Sequence, residues 1–263
     1  MSWHRQLLRV GLAAGVAWPA LLVAQNPGPI QPPPPGKEVK RVPLGKSTEL
    51  PPVPVAEIIR KFSSQESEAR RAHLRASFRQ TVRIQEYDEN GEAGGEYVVI
   101  HQVTPSAEGV RAAKVVSETP STLRRVQLSS DDLDDLARLT GFALTAENLD
   151  KYDVVYAGKQ QVDELMTYAF RVRPKKLERR TRYFEGVVWV DDHDLVIVRT
   201  FGDWVTDVPP GEDILFTTFE TFRDAVDGRL RFPIFTRSDD YIRTKRGEAR
   251  LRLTIRYEEY KLP

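Results

Sequence analysis

The spacing of apolar residues changes twice along the chain. Val55, Ile58, Ile59, Phe62, Ala69 and Leu74 recur at helical spacing through a stretch without Gly or Pro. Glu57, Glu66 and Glu68 mix there with Arg60, Lys61, Arg70 and Arg71, so an amphipathic helix with a single apolar face is predicted. That face needs a cover, most simply a sheet of the same domain.

From Ser77 the period drops to two. Phe78, Val82 and Ile84 alternate with Arg79, Thr81, Arg83 and Gln85, and Asp88-Glu89-Asn90-Gly91 supplies a turn before Tyr97 to Val103, which predicts a hairpin. The strand pattern resumes from Val110 to Val116 and is then interrupted by Ser129-Ser130-Asp131-Asp132-Leu133-Asp134-Asp135-Leu136. Ser130 as a cap and the acidic residues near the positive helix end predict a short helix over Asp131–Leu139, stopped by Gly141, with a further helical turn over Glu147–Tyr152.

Beyond this insert nearly everything reads as strand. Val154 and Tyr156 lead to Met166, Tyr168, Phe170 and Val172, and Phe184–Val190 and Leu195–Gly202 flank a tight turn at Asp191-Asp192-His193-Asp194. Phe216–Phe222, Phe232–Arg237 and Arg250–Tyr260 follow, punctuated by Gly211, Asp227-Gly228 and Gly247. In the last strand Leu251, Leu253, Ile255 and Tyr257 share one face. One-sided alternation over roughly nine to eleven strands implies one dry face and one wet face. A sheet of that size must curl around its dry face or cover it. The expected fold is mainly β (α+β): a curved, unclosed antiparallel β-barrel with the N-terminal helix and the short helical insert as its lid.

The N-terminal fifth changes the picture by placing the domain. Arg5 and Arg9 precede an apolar run from Val10 to Val23, and Leu22-Val23-Ala24 offers a cleavage site before Gln25. The run falls short of the ~20 apolar residues of a comfortable transmembrane helix, so residues 1–24 are expected to be a secretory signal peptide cut after Ala24, with an uncleaved anchor as the alternative. Residues 25–54 are Pro-rich and poor in aromatics, which predicts a disordered linker leading into a folded domain over 55–263. A location outside the cytoplasm follows from export.

The chain has no Cys, so a disulfide framework, a thiolate nucleophile and a thiolate zinc site are excluded. Lys and Arg total 39 against 38 Asp and Glu; removing Arg5 and Arg9 leaves a mature net charge near minus one, and nothing global attracts nucleic acid. The tract Arg171–Arg182 is locally basic; it reads as a solvated turn that can also touch an anionic membrane transiently.

Catalytic motifs are missing. Gly45-Lys46-Ser47-Thr48 resembles the end of a phosphate loop, but Lys40 stands where that motif needs Gly. Glu86–Gly91 grazes the calcium-loop pattern, yet Tyr97 occupies the position of the bidentate Glu. His73, His101 and His193 remain, and the Asp191–Asp194 run is better explained by turn chemistry than by a metal. No catalytic residue, metal site or cofactor is expected. Trp189, Trp204, Tyr183, Phe184 and Phe201 concentrate aromatic surface around one hairpin, as core or as the mouth of a cavity.

An export signal, an amphipathic helix leading into the strand from Ser77 to Tyr87, the run Tyr183-Phe184-Glu185-Gly186-Val187-Val188-Trp189-Val190-Asp191 and the run Leu195-Val196-Ile197-Val198-Arg199 together resemble the periplasmic lipoprotein-sorting carriers of the LolA/LolB-like superfamily. The resemblance spans residues 55 to 262 and is strongest from Asp150 to Trp204. It implies a periplasmic, half-open barrel whose cavity takes the acyl chains of lipoproteins or another lipid, sorting them to the outer membrane and handing them to a membrane-protein partner. The same fold serves a related envelope sensor, so a non-catalytic sensor or interaction module is the alternative. The inward series predicted to face an apolar ligand is Phe78, Val82, Ile84, Met166, Tyr168, Phe170, Val188, Val190, Leu251, Leu253 and Ile255.

Overall fold

A computed structural model describes residues 49–88, 90–106, 111–179, 181–207, 215–226, 228–244 and 247–263. The predicted signal segment, the Pro-rich stretch as far as Thr48, the phosphate-loop look-alike, Val110 and the turn markers Glu89, Gly211 and Asp227 lie outside the described residues. Of the predicted linker only residues 49–54 are described; Val53 packs against the core and the Tyr156 hydroxyl donates to the Glu49 carbonyl at 2.9 Å.

Helix α1 spans Val55–Arg75 and starts at Pro54, whose missing N–H costs nothing at a helix entrance. It buries Ile58, Phe62, Glu66, Ala69 and His73, at spacings of three and four. The buried stripe is therefore half polar, and Glu66 belongs to it rather than to the solvated face expected from the sequence.

Ten strands follow in one antiparallel sheet: β1 Ser77–Tyr87, β2 Ala93–Pro105, β3 Arg111–Glu118, β4 Tyr152–Val162, β5 Leu165–Pro174, β6 Tyr183–Asp191, β7 Ile197–Val205, β8 Thr218–Ala225, β9 Arg231–Thr244 and β10 Gly247–Lys261. Their order is β3-β2-β1-β10-β9-β8-β7-β6-β5-β4, so β3 and β4 are free edges and the curved sheet does not close. The only non-sequential neighbours are β1 and β10, which meet in a register that sets Val82 opposite Ile255 and Ile84 opposite Leu253. This long-range pairing joins the first and last strands inside the sheet, third and fourth from its β3 edge.

Helix α2 spans Ser130–Arg138. Its cap is Ser129, one residue before the predicted one: the Ser129 hydroxyl accepts the Asp132 N–H while the Asp132 carboxylate accepts the Ser129 N–H at 2.8 Å, a reciprocal capping box. The predicted helical turn before β4 is a short 3₁₀ turn over Leu149–Lys151.

The concave face carries two apolar clusters. One, around Phe62, Phe142, Leu144, Phe170, Phe184 and Val188, lies under α1 and the loop after α2; the other, around Phe78, Val82, Ile84, Phe216, Leu251, Leu253 and Ile255, lies under α2. The convex face departs from the expected wet surface. A cross-strand row runs Trp189, Arg199, Phe222, Phe235, Arg256, with Arg199 Cζ 5.2 Å from the Trp189 ring and 5.0 Å from Phe222, and Arg256 5.5 Å from Phe235. The guanidiniums roof the rings, and buried Glu220 pairs with both Arg199 and Arg237, so strands that alternate strictly in sequence are dry on both sides here.

Candidate ligand cavity

A cavity of about 470 Å³ remains between α1, α2 with its following loop, and the concave face. That lies inside the ~300–1,000 Å³ of ordinary ligand pockets. Ala69, His73 and Leu74 of α1 line one side, Leu136, Leu139 and Phe142 a second, and Tyr152, Trp204, Phe216, Phe219 and Phe232 the floor and far wall.

The loop after α2 builds its lid. At Gly141 the backbone takes φ +74°, and a Cβ there would stand 3.0 Å from Thr221 Cγ2, so the chain passes close over β8 only because no side chain is present. Phe142 then enters the core, stacked on Phe184 at 4.2 Å with a 10° interplanar angle and edge-on to Trp204 at 6.3 Å. The loop is tied down onto α1: the Ala146 N–H donates to Ser67 Oγ at 3.0 Å, and Ser67 Oγ donates to Glu147 at 2.6 Å. Glu147 is exposed, yet the Ser67 hydroxyl, helped by its own backbone and Thr145, holds its carboxyl at about 2.

α2 is held more lightly. Leu136 is its one buried residue, and its C-terminal carbonyls take hydrogen bonds from Gln80 Nε2 (to Leu136, 3.3 Å) and from the Tyr257 hydroxyl (to Leu139, 3.1 Å). On its other side lies a wider space of about 1110 Å³, bordered by Tyr97, Leu123, Val126, Leu128, Leu133 and Ile242. The irregular 118–128 segment walls that space, whereas helix and sheet wall the smaller one, which makes the smaller one the better-defined site.

The cavity contains charge. Glu66 and Arg223, each about 5 % exposed or less, form an ion pair inside it, and Arg223 also donates to the Phe142 carbonyl. Burial raises the Glu66 carboxyl above its ordinary value, and the Arg223 guanidinium in contact opposes that rise. His73 Nε2 lies 3.2 Å from the Tyr260 hydroxyl, which gives its single proton to the Pro233 carbonyl at 2.7 Å. The His73 Nε2 is therefore the donor in that pair. Burial, with Arg111 and Arg223 nearby, holds His73 well below the usual imidazole range, so it is neutral.

The residues predicted to face the ligand are placed as follows. Phe78, Val82, Ile84, Leu251, Leu253 and Ile255 are buried in the cluster under α2, and Tyr168, Phe170, Val188 and Val190 in the cluster under α1. None of the ten lines the cavity, because the helices and the 139–148 loop already fill the curve above them. Met166 departs from the inward series: it is 43 % exposed at the start of β5, beyond the reach of the cover. Of the aromatic group, Trp204 lines the cavity, Tyr183 and Phe184 are concave core, and Trp189 and Phe201 belong to the convex face. The decisive polar residues Glu66, Arg111 and Arg223 were hidden in the sequence among many similar charges. The one available signal was that Glu66 falls on the same helical stripe as Ile58, Phe62 and Ala69.

The Asp191–Asp194 run is a turn: Asp191 Oδ1 accepts the N–H groups of His193 and Asp194, both at 2.9 Å. His193 is exposed, and its hydrogen bond to Asp194 raises its pKa. His101 faces the concave side of β2, and burial lowers its pKa while Glu118 raises it. Among the described residues no group of three His, Asp or Glu could hold a metal ion, and no helix is long and apolar enough to cross a membrane.

No family model matches the chain, and no curated protein matches it. Among solved structures it is similar to a DUF1329 family protein from Desulfovibrio piger (15 % identity, TM-score 0.34, covering 77 % of this chain and 93 % of that one). It is also similar to a LolA superfamily protein from Nitrosomonas europaea (18 % identity, TM-score 0.34, covering 76 % and 94 %). The Pseudomonas aeruginosa MucA/MucB complex structure also matches, at 10 % identity and a TM-score of 0.24, covering 79 % of this chain and 93 % of that one. At TM-scores below 0.5 these likenesses carry no weight for ligand or partner; the functional reading rests on the cavity.

Proposed function

We propose that the chain is an exported, periplasmic, non-catalytic binding protein that holds the acyl chains of lipoproteins, or another lipid, in this cavity and hands them on at a membrane. The observation that carries the reading is the cavity wall: Leu74, Leu136, Leu139, Trp204, Phe216, Phe219 and Phe232 surround space that the protein's own side chains leave empty. Each methylene moved from water into such a wall contributes ~0.8 kcal/mol, enough for a chain of ordinary length to be held firmly. Release needs an opening element, and α2, with a single buried residue, is the one that moves at least cost.

A second reading rests on the edge strand β3, where Val115 and Val116 are 49 % and 54 % exposed. A free edge with apolar side chains accepts an added strand from a partner, and an envelope sensor or interaction module would use it so.

Native mass spectrometry of the mature protein purified without detergent, followed by lipid extraction, separates the two. The carrier reading expects a bound lipid or acylated species that is lost in a folded Thr140→Trp variant, whose indole fills the cavity. A clean protein mass that also fails to take up added lipid sinks the carrier reading and leaves the interaction module.

A further inference from the structure

The cavity is apolar along most of its wall but not neutral. Six arginines and three carboxylates border it, and the carboxylates are already engaged: Glu66 with Arg223, Asp132 in the Ser129 capping box, Asp135 with Arg182 at 2.8 Å. Arg111, the first residue of β3, has no carboxylate in ion-pair reach among the described residues. Its guanidinium lies over the Phe78 ring at 5.3 Å, with Tyr257 and Tyr260 alongside. Its Nε is buried without a hydrogen-bond partner, and so is the Nε of Arg223. Both residues line the cavity, and an unpartnered buried N–H on each is an exception that calls for an explanation.

His73 does not supply the missing acceptor charge. It is neutral between the two guanidiniums, and its Nε2 is committed to Tyr260. An imidazole held uncharged lowers the number of cations in the cavity by one, yet an excess of positive charge remains at this end. Beside α2, Leu136, Leu139, Phe216 and Phe219 supply apolar wall, and the Asp135 carboxylate there is matched by Arg182. The cavity thus joins a cationic group without a carboxylate partner, Arg111 on β3, to an apolar wall beside α2.

We propose that the ligand is an anionic amphiphile, its carboxylate or phosphate head received by the Arg111 and Arg223 guanidiniums and its hydrocarbon chain laid along Leu136, Leu139, Phe216 and Phe219. This rests on the carrier reading and names the ligand class for it. A guanidinium presents its donors in a planar fork that matches both head groups, and desolvation by the apolar wall strengthens the contact. A neutral lipid of the same chain length can offer these guanidiniums an oxygen but no charge.

The test titrates the folded mature protein, stripped of bound lipid, with hexadecanoate, hexadecyl phosphate, hexadecanol and inorganic phosphate, in wild type, Arg111→Gln and Arg111→Lys. The proposal expects both anionic amphiphiles to bind at least about tenfold more tightly than the alcohol, the scale of one charge-assisted hydrogen bond. That preference collapses in Arg111→Gln, whose fold is checked independently by circular dichroism and its melting temperature, and survives in part in Arg111→Lys. Equal affinity for alcohol and anions in wild type overturns the proposal while leaving the carrier reading standing. Inorganic phosphate binding as tightly as hexadecyl phosphate also overturns it, because the site would then serve a free anion. Failure of all four probes overturns the carrier reading and the proposal with it.

Discussion

Removing the Glu66 carboxylate is the sharpest test of how the cavity is held open. Glu66 and Arg223 are both buried, and they join α1 to β8 across the cavity while Arg223 reaches on to the Phe142 carbonyl of the lid loop. Glu66→Ala leaves a buried guanidinium whose charge has lost its partner, and breaking such a pair costs ~3–5 kcal/mol. For a domain of this size ~1 kcal/mol moves the melting temperature by ~2–4 °C, so the variant should melt roughly 6–20 °C lower. The assay is thermal and urea unfolding of the mature protein, with Arg223→Met and the double Glu66→Leu, Arg223→Met variant as the other corners of the cycle. Replacing both ions by apolar groups of similar volume is close to neutral or stabilising, so the double variant should recover most of what each single variant loses. A loss below about 1 kcal/mol in Glu66→Ala, or a double variant as weak as the two singles summed, would refute the picture of a desolvated pair.

Three further outcomes follow from the same physics. Gly186→Ala should destabilise by ~1–3 kcal/mol in urea unfolding, because a Cβ there meets the Phe201 carbonyl and stands 2.7 Å from the Phe184 ring that holds Phe142; an unchanged midpoint would contradict that packing. Ser129→Ala removes half of the α2 capping box and should cost ~0.5–2 kcal/mol, read as faster amide exchange confined to residues 130–138 with the sheet unaffected. Stability should fall as pH drops below about 6.5 and be complete above it: His73 is held neutral in the folded state, so the unfolded chain binds the extra proton, and His73→Phe should flatten that slope if His73 is its source.

Alternation made the sheet legible because it depends only on which positions are apolar. Leu251, Leu253, Ile255 and Tyr257 are all buried as their spacing requires, and the Asp191–Asp194 run turns as its composition requires. What alternation could not carry was the second dry face. Arg199 and Arg256 read as solvent-facing charges, but strand pairing sets them beside Trp189, Phe222 and Phe235, and long guanidinium stems cover those rings. Pairing partners more than a hundred residues apart in sequence, such as Val82 and Ile255, are a property of topology rather than of any local window.

The candidate site was less legible, for a related reason. A cavity is space that the cover does not fill, and the amount of cover here is set by the 139–148 loop, whose Phe142 and Leu144 sink into the core although no periodicity marks them. The concave positions chosen from the strands are consequently packed core, while the lining comes from α1, the α2 loop and strand ends. Glu66, Arg111 and Arg223 acquire their meaning only through desolvation, which no count of charges reveals.

The central claim is that one hydrocarbon chain occupies the space beneath α2 and its loop. Photocrosslinking with a diazirine-bearing hexadecyl ligand, mapped by peptide mass spectrometry, tests it most directly. Adducts are predicted on the cavity wall, at residues 69–74, 136–143, 204, 215–219 and 232, saturating at equimolar ligand, displaced by unlabelled ligand and absent in Thr140→Trp. Adducts that never saturate and scatter over the convex face, or that persist unchanged in Thr140→Trp, would contradict it.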